Sequence, residues 1–331
     1  MLVGLAVLPE SRNPRPGRID LVSVGLSLVG ILGVVYTIKE IAYKGLDHWD
    51  IYTAAIGAGC LLTFVLRQPR LREPLMDLKL FGNRAFSATI GVTVLAMFAQ
   101  LAVSLMAAQY FQLVLGWSPL KSGLAGLPGM GGAMIGGTLG AVLIKSLGRA
   151  GTVTLGCAAS ALGFALYSRL DVTTGYPYLL VTMAVFGIGL ALVLTVATDT
   201  VLGVVPKERA GAASAISETA TELGGALGIA VLGSVLGSLY RDGLVLPGGL
   251  SAAAADSARG TLGGAVQVAA QVPGGQALLA SAREAFVGGL QVTMLAAAGL
   301  MVVVTVVAWV ALKGVPKVLD DHAEVEEPVL V

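Results

Sequence analysis

The stretch GAASAISETATELGGALGIAVLGSVLGSL, residues 211–239, decides how the rest of the chain is read. It exceeds the run of about 20 apolar residues that a helix needs to cross a bilayer. Yet it carries Glu218 and Glu222 one helical turn apart. Placing an ionised carboxylate at the bilayer centre costs about 3 kcal/mol on insertion scales. Such groups persist when they face an aqueous cavity, pair with a cation or stay protonated. With the helix starting at the cytoplasmic face, a rise of 1.5 Å per residue puts Glu218 about 10 Å deep and Glu222 about 17 Å deep.

The remainder of the chain has the same character. Of 331 residues 56% are hydrophobic and only 12% charged, where a soluble domain carries about a quarter charged residues. This is the composition of an all-α polytopic membrane protein. Seven further runs pass the length test, near 20–38, 50–66, 85–112, 121–144, 151–168, 177–203 and 285–311. Residues 1–8 read as the tail of a ninth helix. Asp20 and Asp50 stand just before their apolar runs and are expected as N-caps.

Loop charge orients these spans. Fourteen of the 21 Lys and Arg fall in alternate loops and at the two ends, among them Arg12, Arg67, Arg84, Lys145, Arg149, Lys207 and Lys313. By the positive-inside rule those loops and both termini are cytoplasmic, which an even number of spans allows. The resulting plan has a helix end and linker at 1–19 and two central helices at 20–66. A basic linker follows at 67–84, then a six-helix domain at 85–312 and an acidic tail at 313–331. Residues 241–283 form the one long external loop, whose alanine-rich middle reads either as a short helical hairpin or as a mobile loop.

Several chemistries find no support. A net charge of +1 gives no footprint for nucleic acid, and His48 and His322 belong to no nucleophile–base pair or metal cluster. No cofactor, metal or enzymatic activity is expected. Cys60 and Cys157 lie in separate spans as small buried residues. The glycine-rich stretch 123–140 has no strand before it and no Lys-Ser/Thr end, so it is not a phosphate loop. Its Gly132, Gly136 and Gly140, like Gly224/Gly228 and Gly233/Gly237, recur every four residues and suit close helix packing in lipid. Pro128 within the same helix reads as a gating bend or as a plain kink.

Asp199 is the third acidic residue within a span, but it lies near the cytoplasmic helix end, where interfacial water reaches it. Thr219 and Thr221 interleave with the glutamates and could line a wet path, although hydroxyls in helices also bond their own backbone. Gln109, Tyr110, Phe111 and Gln112 end the span 85–112 and are cavity-lining candidates. The aromatic rings there suit an interfacial belt or a stack on a planar cation. Two adjacent carboxylates in low dielectric disfavour joint ionisation, so a site of this kind holds either a proton or an organic cation.

Three stretches carry a family resemblance. PKERAGAASAISETATELGGALGIAVLGSVL, 206–236, resembles the penultimate span of fourteen-span major facilitator superfamily exporters of the EmrB/QacA type. QYFQLVLGWSPLKSGLAGLP, 109–128, resembles the junction of their ninth and tenth spans. LPESRNPRPGRIDLVSVGLSLVGILGVVYTIKE, 8–40, is similar to their passage from span six into two extra central helices. The resemblance implies spans seven to fourteen of a drug/proton antiporter, exporting lipophilic cations across the plasma membrane. It also implies that Glu218 and Glu222 handle substrate and protons, and that Met1 is an internal methionine or a misplaced start. The six-span N-terminal half, with its coupling and gating motifs, would be a missing partner alongside membrane lipid, protons and a small cationic substrate. No acidic residue occurs in 121–144, where some multidrug members carry one.

Overall fold

The structure, a computed structural model, describes residues 20–44, 47–71, 74–205 and 209–313. Arg12, Arg15, Arg18, Arg72, Lys207, Lys317, His322 and the segments 1–19 and 314–331 lie outside the described residues. Among the described residues every regular element is a helix and none is a strand.

The first two helices, α1 (Leu21–Lys44) and α2 (His48–Arg67), form an antiparallel pair. Asp20 caps α1, its carboxylate accepting from Val22 N at 3.3 Å and from Ser23 Oγ at 2.7 Å. The same carboxylate accepts from Arg67 Nε at 2.9 Å, which ties the start of α1 to the end of α2. Mid-helix, Gly33 meets Gly57, and the Thr37 and Thr53 hydroxyls bond at 2.8 Å. Asp50 is not the N-cap of α2. Asp47 is, and Asp50 sits three residues on as the reciprocal half of a capping box, accepting from Asp47 N at 2.9 Å. An aspartate at either position satisfies an orphan amide, so the two read alike in sequence.

The linker that follows is packed rather than free. Gln68 is buried, donating to Ser23 Oγ and accepting from Met76 N. Leu80 joins Phe86, Ile90, Val201, Val205, Ala213, Ile216 and Ala220 in a small apolar cluster under the bundle. Arg209 Nη1 reaches back to Asp77 Oδ2 at 3.1 Å.

Helix α3 (Arg84–Gln109) is capped by Asn83 and runs on through a π-turn at Tyr110–Val114. A short α4 (Pro119–Ala125) leads into α5 (Leu127–Tyr167). Pro128 lies in the first turn of α5, directly after the break at Gly126 that separates α4 from α5, where its missing N–H is among those unpaired anyway.

Inside α5, Gly148 has φ 75° and ψ 174°, a conformation that only glycine tolerates well. The chain reverses there, as shown by the next long helix, α6 (Tyr176–Gly203). Along the first arm of α5, Gly132, Gly136 and Gly140 face Ala184, Ile188 and Thr195 in the same order. Along the second arm, Gly156 faces Leu192 and Gly163 faces Phe186, in the opposite order. One 41-residue helix by hydrogen bonding is therefore two antiparallel spans. Seven described helices are long and apolar enough to cross a membrane, and the division at Gly148 makes eight crossings of them.

Helix α7 (Ala210–Gly243) carries the opening stretch and packs on α3, where Gly224 and Gly228 meet the backbones of Val94 and Phe98. Within 241–283 the chain forms α8 (Ala252–Gly260) and α9 (Leu262–Ala269), with Ala258, Leu262 and Ala265 buried. Tyr240 Oη donates to the Ala258 carbonyl at 2.8 Å and pins this hairpin to the end of α7. The last helix, α10 (Gly275–Leu312), starts ten residues before the apolar run that marks it in sequence. It closes the main core against α3, α5 and α7, with Leu290, Met294, Met301 and Val304 almost fully buried.

Candidate functional site

Glu218 and Glu222 are both exposed on α7. Among the described residues, neither carboxylate is hydrogen-bonded or ion-paired. Glu222 lies twelve residues into this 34-residue helix, about 18 Å from its start. The same face continues upward through Ala226, Ile229 and Gly233, at spacings of three and four residues that keep them in one stripe. Those three residues line a cavity of about 420 Å³ between α1, α3, α7 and the α8–α9 hairpin, with Lys39, Gln109 and Arg241 on its wall. The carboxylates thus stand on a face that runs into a cavity, without lining it themselves.

A second cavity, of about 500 Å³, lies on the other side of α3. Phe111 and Gln112 line it, together with Gln100, Ser104, Ser122 and Tyr167. Gln100 and Ser122 escape a reading of the sequence, because a single polar residue in an apolar run gives no periodic signal.

The remaining candidates are placed elsewhere. Tyr110 lines neither cavity. Its ring is fully buried, and its hydroxyl donates to the Asp171 carbonyl. Thr219 and Thr221 give their hydroxyls to the carbonyls of Ala215 and Ser217 at 2.8 and 3.0 Å, one turn back on their own helix. They also line neither cavity. Asp199 stands apart from the glutamates and pairs with Arg149, Nη2 to Oδ2 at 2.7 Å. Gly132, Gly136, Gly224 and Gly228 sit at close backbone contacts and Gly140 against the Thr195 side chain, whereas a side chain at Gly233 would meet nothing within 4 Å. Gly233 and Gly237 open onto the 420 Å³ cavity instead of packing a helix.

The aromatic residues at the end of α3 form a connected group. Phe111 packs edge-on to Tyr110 and stacks on Trp117 with centroids 5.6 Å apart, and Trp117 leans on Tyr176. Lys121 Nζ lies 4.4 Å from the Trp117 ring centroid, so that ring already carries a cation.

Eight apolar crossings are the build of a multi-pass membrane protein. The Major Facilitator Superfamily description matches residues 21–229, and the chain belongs to that family. Over 318 residues it is 35% identical to the multidrug efflux pump LfrA of Mycolicibacterium smegmatis, a match covering 95% of this chain and 62% of that protein. It is 32% identical over 308 residues to the methyl viologen resistance protein SmvA of Salmonella typhimurium, covering 92% and 62%. The tetracenomycin C resistance and export protein of Streptomyces glaucescens is 29% identical over 347 residues, covering 99% and 63%. The chain therefore spans less than two thirds of the length of these relatives. A solved bacterial homologue of the human lysosomal transporter Spinster, inward-facing and unoccupied, shares the fold. Its TM-score is 0.54 at 16% identity, over 88% of this chain and 64% of that one.

Proposed function

We propose that this chain is the C-terminal part of a proton-coupled exporter of lipophilic cationic drugs, of the fourteen-span EmrB/QacA type, in the plasma membrane. In this reading α1 and α2 are the two central helices, and residues 85–312 are the six-helix transport domain. The 241–283 loop is external. Both ends are cytoplasmic, in keeping with the fourteen basic residues on that side.

The observation that carries the reading is the placement of Glu218 and Glu222. They are one turn apart, unpaired among the described residues, and exposed in the first half of α7 on a face that leads into a cavity. Two carboxylates at that depth hold a proton or an organic cation, and exchange of one for the other couples their fluxes. Facilitator-type transport rocks one helical repeat against another around a central site. A second repeat would thus face the Glu218–Glu222 stripe. The names of the relatives, a multidrug efflux pump and a methyl viologen resistance protein, point the same way.

The test is transport by the intact protein in liposomes under an imposed pH gradient, with tetraphenylphosphonium as the cation. Glu222→Gln should lower pH-driven flux at least tenfold, and Glu218→Gln should lower it less. Flux unchanged in both variants would exclude a carboxylate mechanism.

A further inference from the structure

The cavity of about 420 Å³ lies beyond the tight contact of α3 with α7 at Gly224 and Gly228. Val35 and Lys39 of α1 form one wall, and the junction of α8 with α9 at Thr261 forms another. We propose that this cleft binds an anionic glycerophospholipid, with the phosphate at Lys39 and Arg241 and one acyl chain below them.

The lining is graded in polarity. Gly224 and Gly228 meet Val94 and Phe98 in the same order, so α7 and α3 are parallel, and the alternation of crossings makes α1 parallel to both. Along α7 the lining begins with Ala226, Ile229 and Ala230 and ends at Arg241, about 18 Å beyond Ile229. Along α3, Leu105 precedes Gln109, and along α1, Val35 precedes Lys39. Three helices thus turn from apolar to polar or cationic lining at one end, which is the order of groups in a phospholipid. The orientation in the export reading puts that end in the outer leaflet, and only the choice of leaflet rests on that reading.

Charge selects the headgroup. Lys39 and Arg241 are the charged residues of the lining, since their sequence neighbours Glu40 and Asp242 do not line it. A guanidinium grips phosphate oxygens in pairs and an ammonium holds them as a point charge. Basic pockets between membrane helices take anionic headgroups in this way. An organic cation finds no counter-charge there, because Glu222 lies nineteen residues before Arg241, about 28 Å along α7.

The apolar part suits a chain that enters sideways. A volume of this size takes one acyl chain but not a whole phospholipid. Leu105 and Ile229 line the cleft and are themselves exposed, so it opens to the bilayer, where the second chain stays. An acyl chain is in apolar surroundings in either place, so it contributes little preference. Discrimination between lipids therefore falls to the two cations.

The test is native mass spectrometry of the intact protein released from vesicles of phosphatidylcholine containing a minor share of phosphatidylglycerol. Relative to its share, phosphatidylglycerol should be retained over phosphatidylcholine by more than about tenfold, and Lys39→Gln should lower that preference about fivefold, the usual worth of one basic residue against an anionic lipid. Lys39 is exposed, so its replacement leaves the fold intact. Arg241→Gln should act in the same direction. Lys145→Gln, an exposed cation outside the cleft, should keep the parent's preference. Gly233→Leu extends into open space within the cleft and should lower retained phosphatidylglycerol severalfold, although both cations remain. Excess inorganic phosphate should displace little lipid. Equal retention of the two lipids by the parent, an unchanged preference in Lys39→Gln, full retention in Gly233→Leu, an equal loss in Lys145→Gln, or displacement by inorganic phosphate would each overturn the proposal. Retention is read without transport, so failure here leaves tetraphenylphosphonium flux as an independent test of the export reading.

Discussion

Arg149 and Asp199 join the reversal at Gly148 to the last turns of α6, with Nη2 and Oδ2 2.7 Å apart. The guanidinium side chain is 5% exposed and the carboxylate 41%, so the pair is half sheltered. Removing one partner of a fully buried pair costs about 3–5 kcal/mol, and water at Asp199 reduces that here. Arg149→Met should lower the thermal unfolding midpoint in detergent. Asp199→Asn should lower it less, because an amide oxygen still accepts from the guanidinium. Equal midpoints for Arg149→Met and the parent would show that the pair does not hold this corner.

Gly148 makes the reversal possible. At φ 75° and ψ 174° a side chain is strained by about 1–3 kcal/mol whatever space surrounds it. Gly148→Ala should therefore destabilise the protein by that order, and Gly148→Val by more. A midpoint unmoved by Gly148→Ala would mean that the two arms of α5 join in another conformation.

The interface of α3 with α7 predicts opposite outcomes for two glycines on one helix. A methyl group at Gly228 would run into the Phe98 backbone, whereas one at Gly233 would meet nothing within 4 Å. Overpacking a tight contact costs about 1–3 kcal/mol, while alanine in an open helical position gains about 0.5–1 kcal/mol over glycine. Gly228→Ala should lower the unfolding midpoint, and Gly233→Ala should keep or raise it. The reverse order would mean that α3 and α7 do not meet at Gly228.

These contrasts mark what was legible in the sequence. The crossings were, because a run of apolar residues long enough to span a bilayer is a strong signal. So was the oddity of Glu218 and Glu222, which composition alone makes conspicuous. Which glycines pack was not: Gly228 and Gly233 belong to the same pattern, and only the neighbour differs. The lining role of Gln100 and Ser122 was hidden for the same reason, since facing a cavity depends on how α3, α5 and α6 come together. Arg149 reads as a loop cation and proves buried because the turn at Gly148 is tight enough to tuck it under α6.

The α1–α2 pair should respond to acid through Asp20. The Arg67 guanidinium, then the Ser23 hydroxyl, hold the Asp20 carboxyl at about 2, below its ordinary 3.8. A depressed carboxylate stabilises the fold fully above its unfolded pKa and loses that effect as pH falls through the folded value. The tie between the start of α1 and the end of α2 should thus hold at neutral pH and loosen from near 3.8 down to about 2. Hydrogen exchange at Val22 and Ser23 is the direct measure, since the capping carboxylate accepts from the Val22 amide. Protection there, relative to the intrinsic amide rate, should fall across that window in the parent. Asp20→Asn should exchange faster at neutral pH and show no acid step. Arg67→Gln should move the step upward towards 3.8, because the main partner holding the carboxylate ionised is gone. An acid step at the same pH in Arg67→Gln and the parent would show that the ion pair does not set it.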